Sequence, residues 1–388
     1  MVLIMIIYFI PILLCLVSAC SRELSDNKRW TLLMGIALCL FLCFGYMTGS
    51  DWRPYEFWYE NLDFNRFYYG YTNEPGYYLL MWLMKKLHVP FWVFFTLTKT
   101  ALFILVYKTI FDLCRESGWI TLIYYLPSFG VYFFIDNPMR NCIAIGLFMI
   151  SVKYIIEQRF WPFFFLSLLA ATFHLSALFV IPFYPLYQKE VKKSVYVILY
   201  IIFNLVFWNR DLIIEMISLV AGLLPYMESK FVSYFLYDSA YAQGETFSLM
   251  LIWQTALFVL LICYKERIVE KLGKYGLFAF NSAMIYFLLV RFNTSIQVIM
   301  RLQLYYSVYV SVCVGLLVLS FEWRSRLMYL GVLFMVSMYI YVDRLTGTDI
   351  YVPYSNIVEY AAKGEFPSYA ARYHYNIKNS PYKSSSTE

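Results

Sequence analysis

Residues 161–187 read WPFFFLSLLAATFHLSALFVIPFYPLY and contain no Asp, Glu, Lys or Arg. A transmembrane helix needs about 20 apolar residues, so this run is long for one crossing and short for two. His174 lies near its middle. Backbone that turns inside a bilayer must line a cavity or be buried in protein. One prediction is therefore a re-entrant hairpin with His174 at its turn, and the alternative is a single long, tilted helix.

The whole chain has the same apolar character. Of its 388 residues, 61% are hydrophobic and 14% are charged, whereas soluble domains carry about 25% charged residues. This composition excludes a soluble enzyme, a disordered chain and a nucleic-acid-binding domain, so no nucleic-acid partner is expected. We predict an all-α, polytopic integral membrane protein with roughly 10–12 transmembrane helices.

Further apolar runs define a single predicted transmembrane domain over residues 1–342. The first run is not preceded by basic residues and is followed by more spans, so we interpret it as a helix and not as a signal peptide. A shorter helix is predicted at 76–87. The predicted spans are 1–20, 30–47, 90–113, 119–135, 141–156, 194–209, 246–263, 277–291, 297–319 and 327–342.

The distribution of Lys and Arg predicts the orientation of these spans. Basic residues concentrate in alternate connections, such as 188–193 and 264–276, which by the positive-inside rule face the cytoplasm. The N-terminus and the loops 48–75 and 210–245 then lie outside. The tail 343–388 is also expected outside, with a disordered end.

Neither the cysteines nor the histidines form a metal-binding pattern. The eight cysteines include no CxxC pair, and the three histidines are far apart in the sequence. We interpret the cysteines as buried free thiols, and we predict neither a metal site nor a cofactor.

Several arginines lie at the predicted outer membrane boundary, where positive-inside anchors should not be. They are Arg140, Arg291, Arg301 and, on the adjacent loop, Arg53. Guanidinium groups bind phosphate oxygens in a bidentate manner and stay charged. We predict that these arginines bind a lipid-linked diphosphate. The alternative is that they snorkel to the interface or form structural pairs.

Four residues are candidates for a catalytic role. Glu74 precedes Pro75 at a predicted helix start, so it is either a general base for a sugar hydroxyl or an acidic group that favours the helix dipole. His174 is either functional or a hydrogen-bonded structural histidine. Asp51 and Asp136 are further candidates, although loop carboxylates are usually only solvated.

The chain is rich in aromatic residues, with 38 Tyr, 35 Phe and 10 Trp. The loop 48–75 combines them with carboxylates, as a carbohydrate-binding surface would. We predict glycan-binding roles for Trp52, Trp58 and Tyr69. Their alternative role is anchoring at the membrane interface.

These residues resemble the EpsG-like family of polysaccharide polymerases, which are related in role to Wzy-type O-antigen polymerases. The resemblance covers about residues 30–320. One difference is the stretch 295–300, which reads SIQVIM where the family has a Gly/Ala-rich approach to the arginine. The blocks that carry the resemblance are Asp51–Arg53 with Asn73–Tyr77, Asn137–Arg140 continuing through Ala144–Phe148 to Leu169–Leu178, and Arg301–Tyr306.

The resemblance implies a GT-C-like helical bundle and a metal-independent membrane glycosyltransferase. Such an enzyme joins undecaprenyl-diphosphate-linked oligosaccharide units, as donor and acceptor, during O-antigen, lipopolysaccharide, capsule or exopolysaccharide synthesis. It implies a place in the bacterial cytoplasmic (inner) membrane, in contact with membrane lipid and with the active site facing the periplasm or cell exterior. A chain-length regulator protein is a further implied partner.

Two other functions remain open from the sequence. A flippase or transporter of lipid-linked oligosaccharides needs the same charged cavity but no catalytic base. Such carriers often contain internal repeats, and none is evident here. A membrane acyltransferase would use His174 as a base but would leave the arginines unexplained.

Overall fold

The protein is helical throughout the part of the chain that its computed structural model describes, namely residues 2–62, 74–208, 215, 249–295, 300–346 and 348–379. The α-helices are α1 Val2–Cys20, α2 Arg22–Asp26, α3 Lys28–Cys43, α4 Trp52–Glu60, α5 Pro75–Lys86, α6 Phe91–Leu113, α7 Gly118–Tyr125, α8 Met139–Ile156, α9 Phe160–Phe173, α10 Tyr184–Tyr187, α11 Lys193–Val206, α12 Leu249–Cys263, α13 Lys265–Leu272, α14 Gly276–Ser295, α15 Met300–Gln303, α16 Ser307–Leu319, α17 Trp323–Thr346, α18 Ile357–Lys363, α19 Tyr369–Tyr373 and α20 Tyr375–Asn379.

A π-helix and several 3₁₀ turns join these helices. The π-helix Leu126–Asp136 continues α7 directly. The 3₁₀ segments are Arg115–Ser117, Leu175–Phe183, Gly273–Tyr275 and Leu304–Tyr306.

The helix lengths confirm an all-α polytopic membrane protein. Within the described residues, six helical stretches are long and apolar enough to cross a membrane, and five shorter helices are also apolar. Within the described residues, each predicted span overlaps a helix. In the predicted outer loop 210–245 only Glu215 is described, and the predicted disordered end lies outside the described residues. The six long stretches are Phe91–Leu113, Arg115–Asp136, Met139–Ile156, Lys265–Asn293, Met300–Leu319 and Trp323–Thr346.

The centre of the bundle consists of α7 with its π-helical continuation, packed against α16. Both are buried on nearly all sides, as expected for helices that are apolar all round. A Cβ atom on Gly315 would lie only 2.3 Å from Oγ1 of Thr121. The small residue therefore lets the two central helices approach closely.

The run 161–187 folds as a helical hairpin. The ring centroids of Phe160 and Tyr184 are 5.0 Å apart, which a continuous helix would not allow. The chain reverses at His174, which has extended backbone angles (φ −153°, ψ 120°) and ends α9. The 3₁₀ segment Leu175–Phe183 forms the returning arm. The predicted hairpin is confirmed, and the single long helix is wrong.

The C-terminal segment, residues 348–379, packs onto the transmembrane helices. Asp136 holds it in place, because its Oδ2 accepts a 2.5 Å hydrogen bond from the hydroxyl of Tyr351. Its Oδ1 accepts a 3.2 Å bond from the backbone N–H of Ser50. The carboxylate thus joins the end of the π-helix, the chain before α4 and the C-terminal segment. The predicted domain boundary at residue 342 falls inside α17, which ends at Thr346.

A second buried contact links the C-terminal segment to α4. Arg372 forms an ion pair with Glu56, and both side chains are largely buried. The indole N–H of Trp92 also donates to Glu56, at 3.0 Å. The hydroxyl of Tyr369 donates to the backbone carbonyl of Arg53. These contacts fix α4 between the C-terminal segment and α6.

We predict that Tyr351→Phe lowers the free energy of unfolding by about 1–3 kcal/mol, because it leaves one oxygen of a buried carboxylate without its donor. The measurement is chemical unfolding of the purified protein in detergent micelles. Tyr339→Phe is the matched control, since that side chain is exposed; its effect should stay within about 0.5 kcal/mol. Equal effects of the two substitutions would contradict the role given to Asp136.

Candidate functional site

The start of α5 packs against the turn of the hairpin. Pro75 occupies the first turn, where its missing N–H costs nothing. A Cβ atom on Gly76 would lie 2.2 Å from Oγ1 of Thr172, so only glycine permits this approach. Glu74 does not use its side chain to cap its own helix. The carboxylate is instead directed towards the end of α9.

Glu74, Arg140 and His174 form one ionic cluster. Oε2 of Glu74 lies 2.5 Å from Nη1 of Arg140, and its Oε1 lies 3.5 Å from Nδ1 of His174. Asn137 has left-handed backbone angles (φ 53°) that end the π-helix, and α8 follows with Arg140 in its first turn. The side chains of Glu74 and His174 are 10% and 13% exposed, against 34% for Arg140. The guanidinium is therefore the most accessible group of the cluster.

One face of α4 covers Arg140 with aromatic side chains. Nε of Arg140 donates to the hydroxyl of Tyr55 at 3.3 Å. The guanidinium carbon also lies 5.9 Å from the ring centroid of Tyr55 and 5.8 Å from that of Trp58. Asp51, Tyr55 and Trp58 are spaced by four and three residues, which places them on one helix face. These cation–π contacts hold the guanidinium in place.

The segment that follows α15 also contacts the cluster, through Tyr305. The hydroxyl of Ser176 lies 3.3 Å from Nδ1 of His174 and 3.0 Å from the hydroxyl of Tyr305. The backbone N–H of Ser176 also points at Nδ1, at 3.4 Å. The helix α15, which carries Arg301, packs against the returning arm of the hairpin. A chain of polar groups therefore runs from Arg140 to Tyr305.

Asp51 lies within the electrostatic influence of both arginines. Burial raises the pKa of its carboxyl group, while a hydrogen bond from Ser50 and the positive charges of Arg301 and Arg140 act in the opposite direction. The hydroxyl of Ser50 donates to Oδ1 of Asp51 at 3.1 Å. The structure thus brings Asp51 and Arg301 near the cluster, although neither is in the ion pair itself.

Two predicted phosphate-binding arginines have other surroundings. Arg53 lies over the ring of Tyr373 in the C-terminal segment, with its guanidinium carbon 4.8 Å from the ring centroid. Burial lowers its pKa. Arg291, on α14, is buried and lies 4.5 Å from the ring centroid of Trp208. Each of these two arginines therefore lies against an aromatic ring, outside the ion pair of Glu74 and Arg140.

The predicted glycan-binding aromatics have different environments. Trp58 flanks Arg140, as described above. Trp52 is fully buried and packs against Trp92, with 5.4 Å between the ring centroids. Its ring is therefore not accessible to a glycan in this conformation and serves packing instead. Tyr69 lies outside the described residues.

The arrangement combines an anion-binding group with candidate proton acceptors. Arg140 uses Nη1 and Nε for Glu74 and Tyr55, whereas its Nη2 makes no hydrogen bond to a residue in the described part of the chain. That edge of the guanidinium can bind phosphate oxygens. In the described residues, no group of three or more His, Cys, Asp or Glu side chains is placed to hold a metal ion.

Sequence reasoning did not assign roles to Tyr55, Ser176 and Tyr305. The spacing of four between Asp51 and Tyr55 was a usable signal, because it places both on one helix face. The contact between Ser176 and Tyr305 joins residues 129 positions apart. No local pattern indicates it.

The fold and the site define an all-α, multi-pass membrane protein with a largely buried ionic cluster at the start of two helices. A model of the EpsG family matches residues 28–360, and the chain belongs to this family. The match includes every block on which the resemblance was based. Neither the curated proteins nor the solved structures include a match to this chain.

We predict that Gly76→Ala destabilises the protein by about 1–3 kcal/mol, because the new methyl group meets Thr172 and pushes α5 away from α9. Gly331→Ala is the control. No atom lies within 4 Å of its added Cβ, so this helical substitution should stabilise by about 0.5–1 kcal/mol. Unfolding in detergent measures both, and a loss of stability only in the control would contradict the close approach at Gly76.

Proposed function

We propose that this protein is a polysaccharide polymerase. In this proposal it joins undecaprenyl-diphosphate-linked oligosaccharide repeat units at the outer face of the bacterial cytoplasmic membrane. The observation that carries the proposal is the cluster of Glu74, Arg140 and His174, which pairs an accessible guanidinium with a carboxylate and an imidazole. Membership of the EpsG family supports a polymerase-type role. The polymer would be an O-antigen, a capsule or an exopolysaccharide.

Arg140 and Arg301 would bind the diphosphate of the donor. A hydroxyl oxygen of the acceptor attacks the anomeric carbon of the donor glycan, and the bond from that carbon to the diphosphate oxygen breaks. Negative charge develops on the departing lipid diphosphate, and positioned guanidinium groups stabilise it. The arginines would thereby supply the charge that a metal ion supplies in other transferases, so we propose a metal-independent reaction.

His174 is the better candidate for the general base. Oε2 of Glu74 is already engaged in an ion pair with Arg140, at 2.5 Å. Because the backbone N–H of Ser176 donates to Nδ1 of His174, the neutral ring carries its proton on Nε2 and Nδ1 is the basic nitrogen. The imidazole would take the proton of the acceptor hydroxyl at Nδ1, and Oε1 of Glu74, 3.5 Å from this nitrogen, would stabilise the imidazolium. Trp58, beside Arg140, would stack on a sugar ring.

The main alternative is a flippase for lipid-linked oligosaccharides. A flippase needs the arginines but has no use for a base held by a carboxylate. The contacts of His174 with Glu74 and Ser176 therefore favour the polymerase. An acyltransferase would use the histidine but would not need Arg140 in the same cluster.

Reconstitution tests the proposal. Purified protein in detergent receives only lipid-diphosphate-linked repeat units in the presence of EDTA, and the products are separated by size on a gel. A ladder of products is expected. If folded protein and cognate units give no ladder with or without divalent cations, the polymerase proposal fails, and transport of the units in liposomes then tests the flippase.

Arg140→Lys should lower the rate of polymerisation about a hundredfold, because the charge remains while the planar, bidentate donor is lost. The assay is the ladder described above, followed over time. Arg159→Lys is the control, since Arg159 is an exposed arginine at the far end of α8 and pairs only with Glu157 among the described residues. Full activity in Arg140→Lys would overturn the assignment of the diphosphate to this residue.

His174→Gln should reduce the rate about 10²–10⁴-fold, the usual contribution of a general base. In the wild-type protein the rate should rise with pH as the imidazole loses its proton. The Glu74→Gln variant should shift this rise to lower pH, because the carboxylate no longer stabilises the imidazolium. A pH profile of the rate, measured for all three proteins, checks this. An unchanged profile in both variants would exclude His174 as the base.

A further inference from the structure

An apolar groove lies between α5, α6 and α8, the first and last of which also carry the ends of the ionic cluster. Its cavity volume is about 510 Å³. Leu97 and Ile104 on α6 are more than half exposed, so the groove is open at the side. The residues that line it include Leu80, Met84, Leu97, Ile104, Ile143 and Gly146.

The groove starts next to Arg140. Ile143 and Leu147, which line it, come three and seven residues after Arg140 on α8. The last lining residue on α8, Ile150, comes ten residues after Arg140. At 1.5 Å per residue, the lining of the groove on α8 extends to about 15 Å from the backbone of Arg140 along the helix. An anionic head group at Arg140 would thus have an apolar channel directly beside it.

The helix α5 connects the two regions. It begins with Glu74 in the ionic cluster, and its residues Leu80 and Met84 line the groove. The hydroxyl of Tyr77 contacts Sδ of Met139 at 3.4 Å, which fixes α5 over the start of α8. A ligand that spans both regions would therefore have its polar and apolar parts on the same pair of helices.

We infer that this groove binds the first isoprene units of the polyprenyl chain whose diphosphate lies at Arg140. The inference rests on the proposed function, which makes a diphosphate lipid the substrate. Two observations favour this occupant over a membrane phospholipid. The lining on α8 begins with Cys142 and Ile143, two and three residues after Arg140, and α5 contributes both to the ionic cluster and to the groove. The apolar lining favours a hydrocarbon chain.

Gly146 is the position from which the groove can be filled. A Cβ atom there would meet Leu102 and Leu105 only at 3.8 Å and 3.9 Å, which are ordinary contact distances. A larger side chain therefore extends into the groove without displacing the backbone. Ala101, on the opposite wall, offers a second position of the same kind.

The chain also offers a matched control groove. A second apolar cavity of about 500 Å³ lies between α11, α14 and the connection that precedes α11. Its lining residues include Val195 and Leu199, and none of them belongs to α5, α6 or α8. Val195→Phe fills this cavity and leaves the groove beside Arg140 unchanged.

The test measures binding of undecaprenyl diphosphate, farnesyl diphosphate and inorganic diphosphate to the full-length protein in detergent by isothermal titration calorimetry. We expect the affinity to rise with prenyl length. Gly146→Phe and Ala101→Phe should each weaken undecaprenyl diphosphate binding about tenfold or more, because buried hydrocarbon contacts are lost. Both should leave inorganic diphosphate binding unchanged, and Val195→Phe should change neither ligand.

Three outcomes would overturn the inference. The first is equal affinity for undecaprenyl diphosphate and inorganic diphosphate. The second is unchanged binding in both groove-filling variants when circular dichroism shows that they are folded. The third is displacement of undecaprenyl diphosphate by an equal concentration of phosphatidylglycerol. Because the assay needs no glycan and no turnover, a missing polymer ladder with intact binding would remove the polymerase proposal and leave the groove assigned.

Discussion

The ion pair between Glu74 and Arg140 is the interaction on which the site depends. It joins the residue that precedes α5 to the second residue of α8, and these two residues are 66 positions apart in the sequence. Removing one partner of a largely buried pair leaves an uncompensated charge, so both ends are held strongly. The second oxygen of Glu74 orients His174. One carboxylate therefore positions the guanidinium and the imidazole together.

The C-terminal segment supports this arrangement from a distance. Arg372 pairs with Glu56 on the side of α4 that faces away from Arg140, while Tyr55 and Trp58 contact the guanidinium. Asp136 ties the same segment to the end of the π-helix, just before α8. On α4, Tyr55 and Trp58 contact the guanidinium of Arg140, and Glu56, which lies between them in the sequence, binds the C-terminal segment. The C-terminal segment thereby contributes to the position of α4 beside Arg140.

Much of the site could be predicted because its residues are chemically out of place. Arg140, Glu74 and His174 are ionisable groups in or beside apolar runs, and such groups are costly in a membrane unless they have a function or a partner. The same argument selected Arg53 and Arg291, whose described contacts are with aromatic rings. Hydropathy identifies an unusual charge, but it does not identify the partner of that charge.

The sequence by itself determined the class of protein and the approximate positions of the helices, because these follow from the length of apolar runs. It left two folds open for residues 161–187, and the tertiary structure decided for the hairpin around His174. Only the tertiary structure decided which charged groups meet. The contact between Ser176 and Tyr305, the burial of Trp52 and the groove beside Arg140 depend on how the helices pack. Packing joins residues far apart in the chain, and a single sequence carries no local signal for such contacts.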